Sequence, residues 1–130
     1  MNTIRYRSIA ATVSVAATLG MVGCTSAPTE AAPPPESIES MALMVQDLSN
    51  PFFAAMVKGA EEAAEELDAT LNVQDARLDL ANQSTQIDAF IQGGVDLIVI
   101  SAVHQAGIAP AIERAKQAGV IVIAVDTPAR

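Results

Sequence analysis

Polar side chains gather at four points in this chain, each directly after an apolar run. Gln46, Asp47, Ser49 and Asn50 follow Met41–Val45, with Phe52 and Phe53 beside them. Asp75 to Asn82 follows a second run, Ser101 to Gln105 a third, and Asp126 with Thr127 a fourth. Carboxylates accept hydrogen bonds, and carboxamides and hydroxyls both accept and donate, so such sets hold hydroxyl groups in fixed directions. An aromatic ring next to them covers the apolar C–H face of a pyranose. A polar site of this kind penalises a ligand without matching hydroxyls, because its own groups are left unpaired. On residue types alone, the chemistry is recognition of a small polar molecule, with a neutral polyol well suited.

Other chemistries lack their residues. There is no GxGxxG, P-loop, HExxH, CxxC or GxSxG, hence no fingerprint for a dinucleotide, a triphosphate, a zinc hydrolase, a redox pair or a nucleophile elbow. The chain has one His and one Cys. His104 has no nucleophile with a recognisable motif beside it and reads as a loop or helix-cap residue. No convincing acid–base pair stands out, so neither an enzyme nor a cofactor is expected. Seven Lys and Arg against fifteen Asp and Glu give a net charge of −8, the wrong sign for a nucleic-acid surface.

Four apolar runs alternate with three helical patterns and must position these groups. Met41–Val45 reads as a buried strand. Asn50-Pro51 then offers an N-cap and a first-turn proline. The helix after it carries Phe52, Phe53, Met56, Val57, Ala60, Ala63, Ala64 and Leu67 on an apolar stripe, with Lys58, Glu61, Glu62, Glu65 and Glu66 opposite. Leu71–Asp75 is a second strand. A second helix from about Asn82 buries Ile87, Phe90 and Ile91 and stops at Gly93-Gly94. Val95–Ile100 and Val120–Val125 are strands without polar alternation, so both faces of each are expected to be covered. Between them a helix from about Gln105 to Ala118 buries Ile108, Ala109, Ile112 and Ala115, carries Pro110 early, and ends at Gly119. The order β-α-β-α-β-α-β predicts an α/β fold with a doubly wound parallel sheet. In such sheets ligands bind beyond the carboxyl ends of the strands, which is where the four polar clusters fall.

The front of the chain is a different physical object. Arg5 and Arg7 precede fourteen uncharged residues, Ile9–Val22, and no acid occurs before Glu30. That run is too short for a bilayer core, which takes about 20 residues, and has the pattern of a secretory signal peptide over residues 1–23. Residues 24–40 include Pro28 and Pro33-Pro34-Pro35 and read as an extended tether. From Thr25 onward five positive charges face fifteen negative ones, a net of −10.

Two resemblances sharpen this reading. Met21-Val22-Gly23-Cys24 resembles the bacterial lipobox, which implies lipid on Cys24 and a membrane-anchored product beyond the cytoplasm; several acyl chains hold far better than one. Asp47-Leu48-Ser49-Asn50-Pro51-Phe52-Phe53 with Gly59-Ala60, Gly93 to Ser101, and Ala118 to Asp126 resemble segments of the ribose/galactose-type periplasmic binding proteins. The likeness covers residues 41–130. It implies that Asn50 hydrogen-bonds sugar hydroxyls, that Phe52 or Phe53 stacks on the sugar while the other is core, and that Asp126 accepts from hydroxyls. Gln46 and Asp47 stand where relatives place polar contacts, and Ser101 and His104 belong to the third loop. Many relatives have Arg after that aspartate; here it is Thr127, so the resemblance implies one charge-assisted contact fewer.

The implied partners are a small carbohydrate, the permease of an ABC importer, and a membrane reached through Cys24. The alternative of the same fold is a sensing domain that presents solute to a chemotaxis or sensor-kinase partner. Relatives close two lobes about a hinge. These residues correspond to an incomplete N-terminal lobe, so weak binding or none is expected of them alone.

Overall fold

The computed structural model describes residues 30–127. The leader, the lipobox and Cys24 lie outside the described residues, as do residues 128–130. The chain runs β1 (Ser40–Val45), α1 (Pro51–Glu66), β2 (Thr70–Asp75), α2 (Leu80–Gly93), β3 (Leu97–Ile100), α3 (Gln105–Gln117) and β4 (Ile121–Ala124). The strands form one parallel sheet in the order β2-β1-β3-β4. Leu43 pairs with Val73 on one side and Val99 on the other, and Val99 pairs with Ile123.

Apolarity without alternation in β1 and β3 has the predicted cause: helices cover both faces. Leu43 and Val45 pack with Phe53, Met56, Val57 and Ala60 of α1, and Met41 packs with Ala64. Ala42, Met44, Ile98 and Ile100 point the other way, onto Ile87 and Phe90 of α2 and Ile108 and Ile112 of α3. The path steps outward from β1 to β2 and then back across to β3 and β4. That reversal puts α1 on one face and α2 with α3 on the other, and it places the switch in strand order between β1 and β3. Across the paired helices Arg114 grips Asp88 with two hydrogen bonds of 2.9 and 3.0 Å, which raises the Arg114 pKa.

Local signals explain the element ends. Asn50 caps α1, its side chain accepting from the Phe52 N–H. Gly94 closes α2 at φ 69°, in the left-handed region that glycine enters without steric cost. Pro110 sits inside α3 on an exposed position.

Four details differ from the sequence reading. The packed line of α1 runs through Phe53, Val57, Ala60 and Ala64, one residue round from the stripe's expected centre, so Phe52, Ala63 and Leu67 are exposed. Helix α2 starts two residues before Asn82, because Asp79 caps it by accepting from the Asn82 N–H at 2.9 Å. In α3, Ala111 joins the core and Ala109 is only partly buried. Strand β4 is apolar but not fully covered: it pairs only with β3 among the described residues, and Ile123 is 47% exposed.

Candidate functional site

Three loops meet at the carboxyl ends of β1, β3 and β4. Gln46 follows β1, and its Nε2 donates to Ser101 Oγ at 3.0 Å and to Thr127 Oγ1 at 2.9 Å. Ser101 follows β3, is fully buried, and its hydroxyl donates a hydrogen bond to Asp126 Oδ2 at 3.2 Å. Thr127 donates to the same oxygen at 3.4 Å. One amide thus feeds two hydroxyls, and both hydroxyls converge on one carboxylate oxygen. Oδ1 of Asp126 has no hydrogen bond among the described residues. Asp126 is exposed, with φ 58°. Non-glycine residues rarely take this conformation, and Asp is among those that tolerate it; it turns the carboxylate back over the end of β3.

Beside this cluster lies the first loop. Asp47 is engaged in its own turn, with Oδ1 accepting from the Ser49 N–H at 2.9 Å and Oδ2 from the Ser49 hydroxyl at 2.7 Å. Those two bonds, the hydroxyl's first, lower its pKa. Asn50 is exposed and uses Oδ1 on the Phe52 N–H at 3.0 Å, which leaves its NH₂ pointing away from the helix cap. The two phenylalanines separate cleanly. Phe53 is core at 5% exposure, while Phe52 is 53% exposed and meets it edge-on with centroids 5.2 Å apart. Phe52 is therefore the ring free to cover a ligand. Among the described residues, the loops at this end carry Asp47, Asp79 and Asp126, with Arg77 as the one Lys or Arg.

His104 caps α3, its Nδ1 accepting from the Gly107 N–H at 2.9 Å. Gln46, Ser101, Asp126 and Thr127 are brought into one hydrogen-bonded set, with Asn50 and Phe52 on the adjoining loop; Asp47 and His104 serve their own turns. Among the described residues no three His, Cys, Asp or Glu gather as a metal site. A groove of ≈ 530 Å³ lies elsewhere, between β2 and α2 over Asn72, Gln74, Gln86 and Phe90.

One residue essential to this geometry escaped the sequence reading. Gln83 of α2 is fully buried, donates to the Ser101 carbonyl at 3.0 Å, and accepts from the Val103 N–H at 3.0 Å. It fastens the loop after β3 and so fixes where Ser101 stands. The signal was available: Gln83, Ile87 and Phe90 fall at i, i+4 and i+7, so a carboxamide sits on a buried stripe and requires partners.

Comparison with known proteins bears on the fold and the family. Residues 41–130 match the family described as periplasmic binding protein domain. The ribose import binding protein RbsB of Bacillus subtilis is 32% identical over 124 residues, covering 90% of this chain and 41% of that protein. RbsB of Escherichia coli is 29% identical over 91 residues, covering 70% and 31%. Among solved structures, the periplasmic solute-binding protein of Actinobacillus succinogenes with bound D-allose superposes at a TM-score of 0.67. It is 30% identical, and the match covers 70% of this chain and 32% of that one. The Caulobacter myo-inositol binding protein, bound to myo-inositol, superposes at 0.68 with 28% identity, covering 75% and 33%. The chain thus spans between three and about four tenths of these relatives. They are binding proteins rather than enzymes, and no helix among the described residues is long and apolar enough to cross a membrane. By fold, strand order and matched residues, this chain belongs to the periplasmic binding protein family.

Proposed function

We propose that this chain is part of an extracytoplasmic receptor that binds a monosaccharide or cyclic polyol and hands it to an ABC importer. The observation that carries the reading is the Gln46–Ser101–Thr127–Asp126 cluster at the switch between β1 and β3, with Asn50 and the exposed ring of Phe52 on the adjoining loop. In this reading Asp126 Oδ1 and the Asn50 NH₂ hold ligand hydroxyls, and Phe52 covers the C–H face. Gln46 and Thr127 orient the aspartate. Asp47 shapes the first loop. The protein acts by binding, without catalysis or cofactor.

The same proposal places lipid on Cys24 and the receptor on the outer face of a membrane. Support comes from the leader's composition and from the lipobox-like Met21-Val22-Gly23-Cys24. The test is calorimetric titration of the whole receptor, of which this chain is part, with ribose, allose and myo-inositol, repeated with Asp126→Asn. Asparagine tolerates the same backbone, so the fold is kept, while loss of a charged acceptor costs about 1.5–3 kcal/mol, or roughly ten- to a hundredfold in affinity. Binding of none of the three, or equal binding by the variant, overturns the assignment.

A further inference from the structure

The residues ahead of β1 do not leave the domain freely. The Ala32 N–H donates to the Gln117 carbonyl at 2.9 Å, at the end of α3. Pro33 and Pro35 lie over the turns at Gly94–Asp96 and Ala118–Val120, and Ile38 packs into the apolar cluster of Met41, Ala64 and Leu97. Asp96 closes the seam. Its Oδ2 accepts from the Glu39 and Ser40 N–H groups at 3.0 and 2.9 Å and from the Ser40 hydroxyl at 2.9 Å. The fit is tight at Gly119, where φ is 87° and an added Cβ would stand 2.7 Å from the Pro33 carbonyl oxygen. Glycine there serves both the left-handed turn and the close approach of the proline segment.

We propose that residues 32–39 are a strap docked on the base of the domain, so that the free part of the tether is only Thr25 to Ala31. A chain spans at most about 3.5 Å per residue. The strap therefore shortens the reach from Cys24 from about 56 Å, measured to Ser40, to about 28 Å, measured to Ala32. It also sets orientation. The seam lies at the amino ends of β1, β3 and β4, so the base faces the anchor and the loops carrying Gln46, Ser101 and Asp126 face away. The consequence for the membrane rests on the Cys24 reading above; the docking itself does not.

Spin labels at Glu30→Cys and Gln117→Cys, on the mature chain in vesicles, measure this directly. A single narrow distance is expected. A broad distribution extending over tens of ångströms overturns the strap. Gly119→Asn gives the internal control. Asparagine is the side chain best suited to a positive φ, so the turn is retained, but its Cβ meets the Pro33 oxygen. Its distribution is expected to broaden while the melting temperature stays within a few degrees of the parent's. An unchanged narrow distance in that variant also overturns the proposal. The mass of the membrane-extracted chain reports acylation separately: a chain without lipid that still gives the narrow distance removes the anchor and keeps the strap.

Discussion

Replacing Gln83 tests how the site is held. Its carboxamide is fully buried and bridges the Ser101 carbonyl and the Val103 N–H at 3.0 Å each. Gln83→Leu fills similar space but leaves the buried Ser101 carbonyl and the partly buried Val103 N–H unpaired, at about 1–2 kcal/mol apiece. A loss of about 2–4 kcal/mol follows, or a fall of roughly 10–25 °C in Tm for a domain of this size. Gln83→Glu separates hydrogen bonding from packing. A neutral glutamic acid can donate to the Ser101 carbonyl and accept from the Val103 N–H as glutamine does. An ionised one turns an acceptor toward that carbonyl and buries a charge. Burial therefore raises the folded-state pKa above the usual value of about 4.3. A raised pKa gives stability that is present below the unfolded value and lost as pH rises through the folded one. Thermal melts should thus show Gln83→Glu near the parent at about pH 4 and near Gln83→Leu at about pH 8. A variant that follows the parent at both pH values, or the leucine variant at both, refutes the bridging role.

Other perturbations isolate single contributions. Asn50→Asp keeps an oxygen for the Phe52 N–H and so keeps the cap of α1, but removes the NH₂ donor; Tm should hold within a few degrees while sugar affinity falls about tenfold by titration. Phe53→Ala should cost about 3–5 kcal/mol in denaturant melts, whereas Phe52→Ala should change stability by less than about 0.5 kcal/mol and weaken sugar binding severalfold. Asp96 has its pKa lowered, first by the Glu39 N–H and then by the Ser40 hydroxyl and N–H. A lowered pKa gives stability that is lost as pH falls, so the exchange protection of the Glu39 and Ser40 amides should decline below about pH 4 and become flat with pH in Asp96→Asn.

The sheet was legible because its signals are local and mutually consistent. Leu97-Ile98-Val99-Ile100 has no polar residue to place at a solvated face, and Asn50-Pro51 and Gly94 mark helix ends through the backbone conformations they favour. What stayed hidden depends on a neighbour. Phe52 and Phe53 are adjacent in one apolar stripe, and only the line along which α1 meets β1 decides that Phe53 is core and Phe52 open. Asp79 competed with Asn82 for the start of α2, and the positive φ of Arg77 and Leu78 just before it left no periodicity to follow. Gln46, Ser101, Asp126 and Thr127 were all singled out, but their shared hydrogen bonds span 25 to 81 positions and follow from strand order, which spacing does not encode. Gln83 is hidden for the opposite reason: Ile87 and Phe90 on the same stripe account for the burial of α2, and the partners its carboxamide needs lie in the loop after β3.

The geometry of the cluster also limits what it does alone. Asn50, Phe52 and Asp126 are all exposed at one end of one sheet, so a sugar resting there has protein on one side and water on the other. Small-molecule sites usually bury 70–90% or more of their ligand, which an open face does not provide. If the closed site of a whole receptor binds at about 1 μM, or −8.2 kcal/mol, and one face supplies half of that, the remaining −4.1 kcal/mol corresponds to about 1 mM. Solvent lowers it further, because an exposed hydrogen bond exchanges a partner in water for one on the protein with little net gain. Titration of residues 24–130 with ribose, allose or myo-inositol should therefore give millimolar affinity or none. Ring protons of the sugar should shift little in its NMR spectrum at micromolar protein. Sub-micromolar affinity from these residues would mean that one face encloses its ligand by itself. No second face would then be needed to hold the sugar.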